Sequence, residues 1–304
     1  MFPTIPANSA TAASGPNDEG IFGFGYDGSN QVSITNLVSN TGVVASDQAA
    51  TTGTGRSGAA ACEYGGDKGI FGYGSDGTQQ SMTNLVSNTG VVSSDVTGVG
   101  TDRSYGGACE YGGDKGIFAF GSPNTNVSNL ISNTGVVSSD GTGVGTARNG
   151  GPACEYGGDK GIFAFGEKAG GSVVNVSNLV SNTGVVSSDV GGVGQSRQQT
   201  SACSYGEDKG IFGYGYDSDG AGNKNLTNLV SNTGVVSSDV TGIGTARWIL
   251  ASCEYGQDKA IFGFGYAAPS NYAITNLVSN VGVVASDTAG VGTTRRAIAA
   301  CSFN

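Results

Sequence analysis

The sequence contains no histidine. That removes the commonest general base, the imidazole ligands of most zinc and copper sites, and the Ser-His-Asp and Cys-His nucleophile pairs. Charge is scarce as well. Asp, Glu, Lys and Arg make up 12% of the chain and sum to a net −10, where a soluble domain usually carries about a quarter. An acidic, charge-poor chain has no electrostatic footprint for nucleic acid. No apolar run approaches the roughly 18 residues that a membrane-spanning helix needs, so no membrane insertion is expected. Residues 1–17 carry neither a basic cluster nor an apolar core; they read as an N-terminal arm rather than a signal peptide. There is one tryptophan, Trp248.

What is present in quantity is glycine, 55 residues of it, and a repeat. Ile-Phe-(Gly/Ala)-aromatic-Gly begins at Ile21, Ile70, Ile117, Ile162, Ile211 and Ile261, and Asn-Leu-(Val/Ile)-Ser-Asn at Asn36, Asn84, Asn129, Asn178, Asn228 and Asn276. Six hits for both blocks in one order define six copies of a unit of about 45–50 residues. The copy from Arg56 to Thr101 reads as four short strands. The first is a small-residue strand with Cys62 and Tyr64 on one face. Ile70–Gly74 follows, its aromatics facing one side and Ile70 and the glycines the other. Met82–Ser87 is the third strand, and the fourth opens at Val91. Gly65-Gly66-Asp67 and Asn88-Thr89-Gly90 supply the turns. No helical period occurs anywhere.

Four antiparallel strands per repeat predict an all-β fold, a six-bladed β-propeller over residues 18–304. A β-solenoid or fibrous array is the alternative. The C-terminal Arg295-Arg296-Ala-Ile-Ala-Ala-Cys301-Ser302-Phe303 is a first strand with nothing after it, while the first copy has Ala12-Ala13-Ser14-Gly15 where others have Ala-Cys-Glu-Tyr. The terminal strand is therefore expected to complete the first unit and remove its open edges.

Cys62, Cys109, Cys154, Cys203, Cys253 and Cys301 fall at one repeat position. Equivalent positions on neighbouring units are too far apart for disulfide geometry, so these cysteines read as reduced, buried packing residues. Asp47, Asp95, Asp140, Asp189, Asp239 and Asp287 read as turn-forming or paired with the repeat arginines. Glu63, Glu110, Glu155 and Glu254 recur beside Asp67, Asp114, Asp159 and Asp258, and carboxylate pairs can serve a glycosidase. Repetition argues against it, because an active site needs a unique arrangement. No catalytic residue, metal ligand or cofactor is assigned. The loop Asp217–Asn223 is oxygen-rich in the manner of a calcium loop but lacks the bidentate glutamate, so calcium at Asp217 and Asp219 stays open.

The layout, an arginine before a small-residue strand and then a strand such as Ile211–Gly215, resembles the kelch-repeat propellers across residues 18–304. It differs in lacking the double glycine at the strand end and the tryptophan after the third strand. The near-identical copies are similar in style to propellers of phage tails and fibres. That resemblance implies a non-enzymatic structural or adhesion role in a virion, with other virion or scaffold proteins, or a cell-surface glycan, as partners. An intracellular, cytoplasmic kelch-type scaffold and a carbohydrate-binding or carbohydrate-active propeller are the alternatives.

Variation among the copies collects in two places: the loop between the second and third strands, and the residues just after each arginine. In an antiparallel unit both emerge on one side. The expected binding rim is therefore Tyr105, Asn149, Gln198, Gln199, Trp248 and Arg296, with Ile249 and Leu250 forming an apolar patch beside Trp248.

Overall fold

The structure, a computed structural model, describes residues 18–48, 53–220 and 222–303. The arm 1–17, with Ala12–Gly15, lies outside the described residues. Among the described residues there is no helix, and the chain is all-β, built of small antiparallel sheets.

Each repeat contributes one three-stranded unit. In the second repeat Ala60–Tyr64 pairs with Lys68–Gly72, which pairs with Thr83–Val86, so that Cys62, Ile70 and Leu85 lie side by side. The expected fourth strand is not a continuous one. Its segment is tied on only by the isolated bridges Val86↔Val92 and Thr83↔Val96. Side chains replace the ladder between them. Ser93 donates from its backbone N–H to Leu85 O at 2.8 Å, but the Leu85 N–H returns to the Ser93 hydroxyl at 2.9 Å. Asn84 Nδ2 then donates to Ser93 O and to Asp95. The polar Ser-Ser-Asp run satisfies its neighbours through side chains and so leaves regular strand geometry.

The second strand departs from its sequence pattern too. Tyr73 has φ of 62° and Gly74 of 103°, and the equivalent aromatic has positive φ in all six copies. The two aromatics therefore do not share a face. Phe71 packs edge-on to Phe24 of the preceding repeat at 5.1 Å, and Tyr73 packs edge-on to Phe118 of the next at 5.1 Å. The left-handed residue breaks the period of two and turns its ring to the other side. Each sheet thus gives one ring to each neighbour. The pairs Phe120–Phe163, Phe165–Phe212, Tyr214–Phe262 and Phe264–Phe22 continue the series back to the first repeat. The small residue between the rings permits this approach: a Cβ on Gly72 would come within 2.6 Å of the Phe118 ring.

A buried arginine fastens every one of these junctions. Arg56 lies over the Phe24 ring at 4.3 Å. It donates through Nε to Tyr73 O at 2.7 Å and through an η nitrogen to Asn84 Oδ1 at 2.6 Å. Asp95 stands 3.7 Å from it and accepts from the Thr54 N–H and hydroxyl. Arg103, Arg148, Arg197, Arg247 and Arg295 repeat the stacking on Tyr73, Phe120, Phe165, Tyr214 and Phe264. Burial pulls the Arg56 guanidinium down to about 10, opposed by the Asp95 charge, so it stays cationic at neutral pH. The repeated aspartates are arginine partners, as their recurrence suggested: Asp47, Asp140 and Asp239 lie 3.5–3.9 Å from Arg295, Arg103 and Arg197.

The first strands neighbour one another in a cycle: 60–64, 107–111, 153–156, 201–205, 251–255, 299–303 and again 60–64. The terminal strand Ala299–Phe303 pairs along its length with Glu19–Gly23. A second closed series runs through the backbone two residues beyond each arginine. Tyr105 N–H donates to Gly58 O, Gly150 to Tyr105, Gln199 to Gly150, Ile249 to Gln199, Ala297 to Ile249, and Gly58 to Ala297, at 2.7–3.0 Å. All six residues have positive φ, from 49° to 66°. On the opposite side, Gly65, Gly112, Gly157, Gly206 and Gly256 donate to Asp114, Asp159, Asp208, Asp258 and Asp18 of the adjoining repeat. The six cysteines are buried and unpaired, each thiol packed on the neighbouring second strand; a Cβ on Gly116 would fall 2.7 Å from Cys62 Sγ.

Candidate functional site

The left-handed residues Gly58, Tyr105, Gly150, Gln199, Ile249 and Ala297 surround a passage of about 100 Å³. Glu63, Glu110, Glu155, Ser204 and Glu254 line a second one of about 60 Å³ beyond it. Volumes of that order hold a few waters. The glutamates do not pair with the aspartates beside them in sequence: Asp67 instead binds Lys68 and Asn88 in the turn. They face one another across the passage. Burial and the charges of Glu63 and Asp159 push the Glu155 carboxyl up to about 8, against the pull of Lys160. Burial and neighbouring glutamates raise Glu110 and Glu254 well above the usual carboxylate range.

The six residues expected at the binding rim divide between two rings. Tyr105 and Gln199 belong to the left-handed inner ring. Asn149, Gln198, Trp248 and Arg296 stand one residue earlier, where they pair with the residue that follows each second strand: Asn149 with Glu167, Gln198 with Tyr216, Trp248 with Tyr266, Arg296 with Tyr26. Ser57 with Ser75 and Ser104 with Ser122 complete the set. These pairs bring the rim residues together by backbone hydrogen bonds, so the register fixes which side chains meet.

What meets is unequal around the rim. Trp248 packs on Tyr216 with ring centroids 5.0 Å apart and edge-on to Tyr266 at 6.2 Å. The Arg296 guanidinium lies 4.4 Å from the Tyr266 centroid and 5.1 Å from that of Tyr26. Tyr216, Trp248, Tyr266, Arg296 and Tyr26 thus form one stacked row across three repeats, each member partly exposed. The facing half of the rim carries Ser57, Ser75, Ser104 and Ser122. Asn149 is tied down by Asn124, to which its Nδ2 donates at 2.7 Å, and Gln198 is buried.

One expectation about the site is corrected. Leu250 does not share an exposed apolar patch with Trp248. It is 5% exposed and packs with Tyr214 and Phe262 in the core, because the positive φ at Ile249 turns the chain inward. Ile249 itself borders the central passage. In the oxygen-rich loop, Asp217 is buried, with Oδ2 held by Gln195 Nε2 at 2.6 Å and facing Lys224 at 3.8 Å, and Oδ1 taken by the Asp219 N–H. Its charge is already balanced by a lysine, and Ala221 lies outside the described residues.

The tyrosines of the stacked row were not singled out from the sequence. The signal was there: an aromatic residue follows the second strand only in the first, fifth and sixth copies, where Arg296, Gln198 and Trp248 stand after the arginine. The chain matches no protein-family model and no curated sequence.

Proposed function

We propose that the chain is a closed six-bladed β-propeller, residues 18–304, and that it serves as a non-enzymatic binding module whose ligand sits on the aromatic half of one rim. Three cyclic series of contacts support the ring: aromatic pairs, arginine stacks and the backbone hydrogen bonds through Gly58 to Ala297. Each needs the last repeat beside the first. The observation that carries the function is the row Tyr216–Trp248–Tyr266–Arg296–Tyr26 on a scaffold whose other contacts repeat sixfold. Packing alone would repeat with the scaffold. Tryptophan, tyrosine and arginine are the side chains that anchor interfaces, through large area at low entropic cost.

The carboxylates argue for binding over hydrolysis. They recur in four repeats, face a passage of about 60 Å³, and leave no room for a sugar between them. A structural or adhesion role in a phage virion is the setting we favour, on the near-identity of the copies; an intracellular scaffold is the alternative.

Two measurements test this. Mass spectrometry of purified particles against cytosol locates the protein. Binding of the labelled protein to an array of bacterial cell-surface polysaccharides, compared with Trp248→Ala, tests the rim. Trp248→Ala should cost roughly 2 kcal/mol or more of binding with the fold intact, and an unchanged array signal would refute the rim.

A further inference from the structure

Where the last repeat meets the first, the rim opens into a cleft of about 420 Å³. It falls in the size range of small-molecule sites, unlike the narrow passages at the centre. Tyr26, Tyr266, Arg296, Asn271 and Asp27 line it, with the Ser270 and Thr294 hydroxyls.

Arg296 is the unusual member. The six repeat arginines are buried and donate to carbonyl and amide oxygens, although Arg148 Nε has no partner. Arg296 is partly exposed, and its guanidinium makes no hydrogen bond or ion pair among the described residues. It is nevertheless held in place. Its backbone exchanges both hydrogen bonds with Tyr26, at 2.8 and 3.0 Å, and its guanidinium stands between two tyrosine rings. Packed against two rings, it offers the cleft its fork of N–H donors. That is a planar fork whose geometry matches a carboxylate, with part of its rotamer entropy already spent. A lysine at this place would be a point charge with no fixed direction.

The remaining groups suit hydroxyls. Asp27 Oδ1 accepts from the Ser29 and Asn30 N–H groups, which keeps the carboxyl below its usual range and charged; Oδ2 has no hydrogen-bond partner among the described residues. Asn271 donates to Tyr26 O at 3.4 Å and braces the cleft wall; its own Oδ1 is shielded from solvent. Ser270 and Thr294 are exposed. One oriented cation for an anion, several single acceptors and hydroxyls for a polyol, and aromatic walls describe a sugar acid.

We infer that this cleft binds a hexuronic acid unit of a glycan, its carboxylate on the Arg296 fork and its hydroxyls on Asp27, Ser270 and Thr294. The inference rests on the rim being a binding surface, and names what that surface recognises.

The test is titration of the intact protein, by calorimetry, with D-glucuronate and D-galacturonate, their methyl esters, D-glucose and sodium sulfate. At least one uronate should bind. Its methyl ester and glucose should bind at least tenfold more weakly, and sulfate should not compete at equal concentration. Arg296→Ala should abolish the heat signal, and Arg296→Lys should weaken it at least fivefold, each at an unchanged melting temperature. Asp27→Asn should weaken the uronate without restoring the ester. Equal binding of acid and ester, competition by sulfate alone, or no uronate binding would each overturn the assignment. If Trp248-dependent array binding persists while no uronate binds, the cleft assignment fails and the rim reading stands; if neither is seen, both fail.

Discussion

Arg295 donates through Nε to the carbonyl oxygen of Phe24 at 2.9 Å, across 271 positions of sequence. Its η nitrogen reaches Asn36 Oδ1 at 2.5 Å, and Ala299–Phe303 then pairs with Glu19–Gly23. The last repeat's arginine does for the first repeat what Arg56 does within its own. Deleting residues 295–304 removes that arginine and a whole strand, leaving the Glu19–Gly23 edge and the flank of Ala60–Tyr64 uncovered. The truncated protein should lose several kcal/mol of stability, against a typical total of about 5–15 kcal/mol, or fail to fold. A truncated chain melting with the intact one in circular dichroism would rule out ring closure.

Replacing one buried arginine should be as severe as any single change. Arg56→Met removes the stack on Phe24 and leaves Asn84 and Asp95 without their cation. Asp95 is exposed and can be solvated, but Tyr73 O and Asn84 Oδ1 lose their buried donor, at about 1–3 kcal/mol each. Urea denaturation should show that loss, and a loss below about 1 kcal/mol would mean that Arg56 does not hold the junction.

At Gln199 the opposite sign is expected. It holds φ of 53°, a conformation costing an L-residue about 1–2 kcal/mol, and its equivalents Gly58 and Gly150 are glycines. Gln199→Gly should stabilise by about 0.5–1 kcal/mol once the extra entropy of a glycine is subtracted. Gln199→Val should destabilise, being branched at a left-handed position. Both are read from urea midpoints.

The pH profile follows from two opposed sets of carboxyls. Glu155 is raised to about 8 in the folded chain. Its contribution is fully present below the unfolded value of about 4.3 and is lost as pH rises through about 8, with a slope of at most about 1.4 kcal/mol per pH unit. Asp95 runs the other way. Burial works to raise it, but hydrogen bonds from Thr54 and Asn84 and the charge of Arg56 outweigh burial and hold it low. Its contribution is present above the unfolded value of about 3.9 and fades as pH falls through the folded one. The melting temperature should therefore be higher at pH 5 than at pH 9, and Glu155→Gln should shrink that difference. A difference untouched by Glu155→Gln would mean that the channel carboxyls are solvated.

All six thiols should be free and unreactive in the native protein. Burial pushes each well above the ordinary thiol range. A maleimide reagent should label none in buffer and six in denaturant; rapid native labelling would show that the junctions open.

Composition, periodicity and turn chemistry were enough to read the number of repeats, the all-β class, the buried cysteines, the pairing of Asp95 with Arg56 and the terminal strand that completes the first sheet. These depend on residues near in sequence or on exact recurrence, and both are visible in a string of letters. Three-dimensional packing decided the rest. That Phe71 and Tyr73 face opposite neighbours depends on a positive φ that the aromatic letter does not reveal. That Leu250 is core and Trp248 is rim depends on a chain reversal at Ile249, a branched residue no propensity would place in the left-handed region. The row from Tyr216 to Tyr26 depends on register between segments of different repeats, and on bringing residue 296 beside residue 26. Sequence recurrence specifies what every repeat shares; only the tertiary contacts between repeats decide what becomes of the residues they do not share.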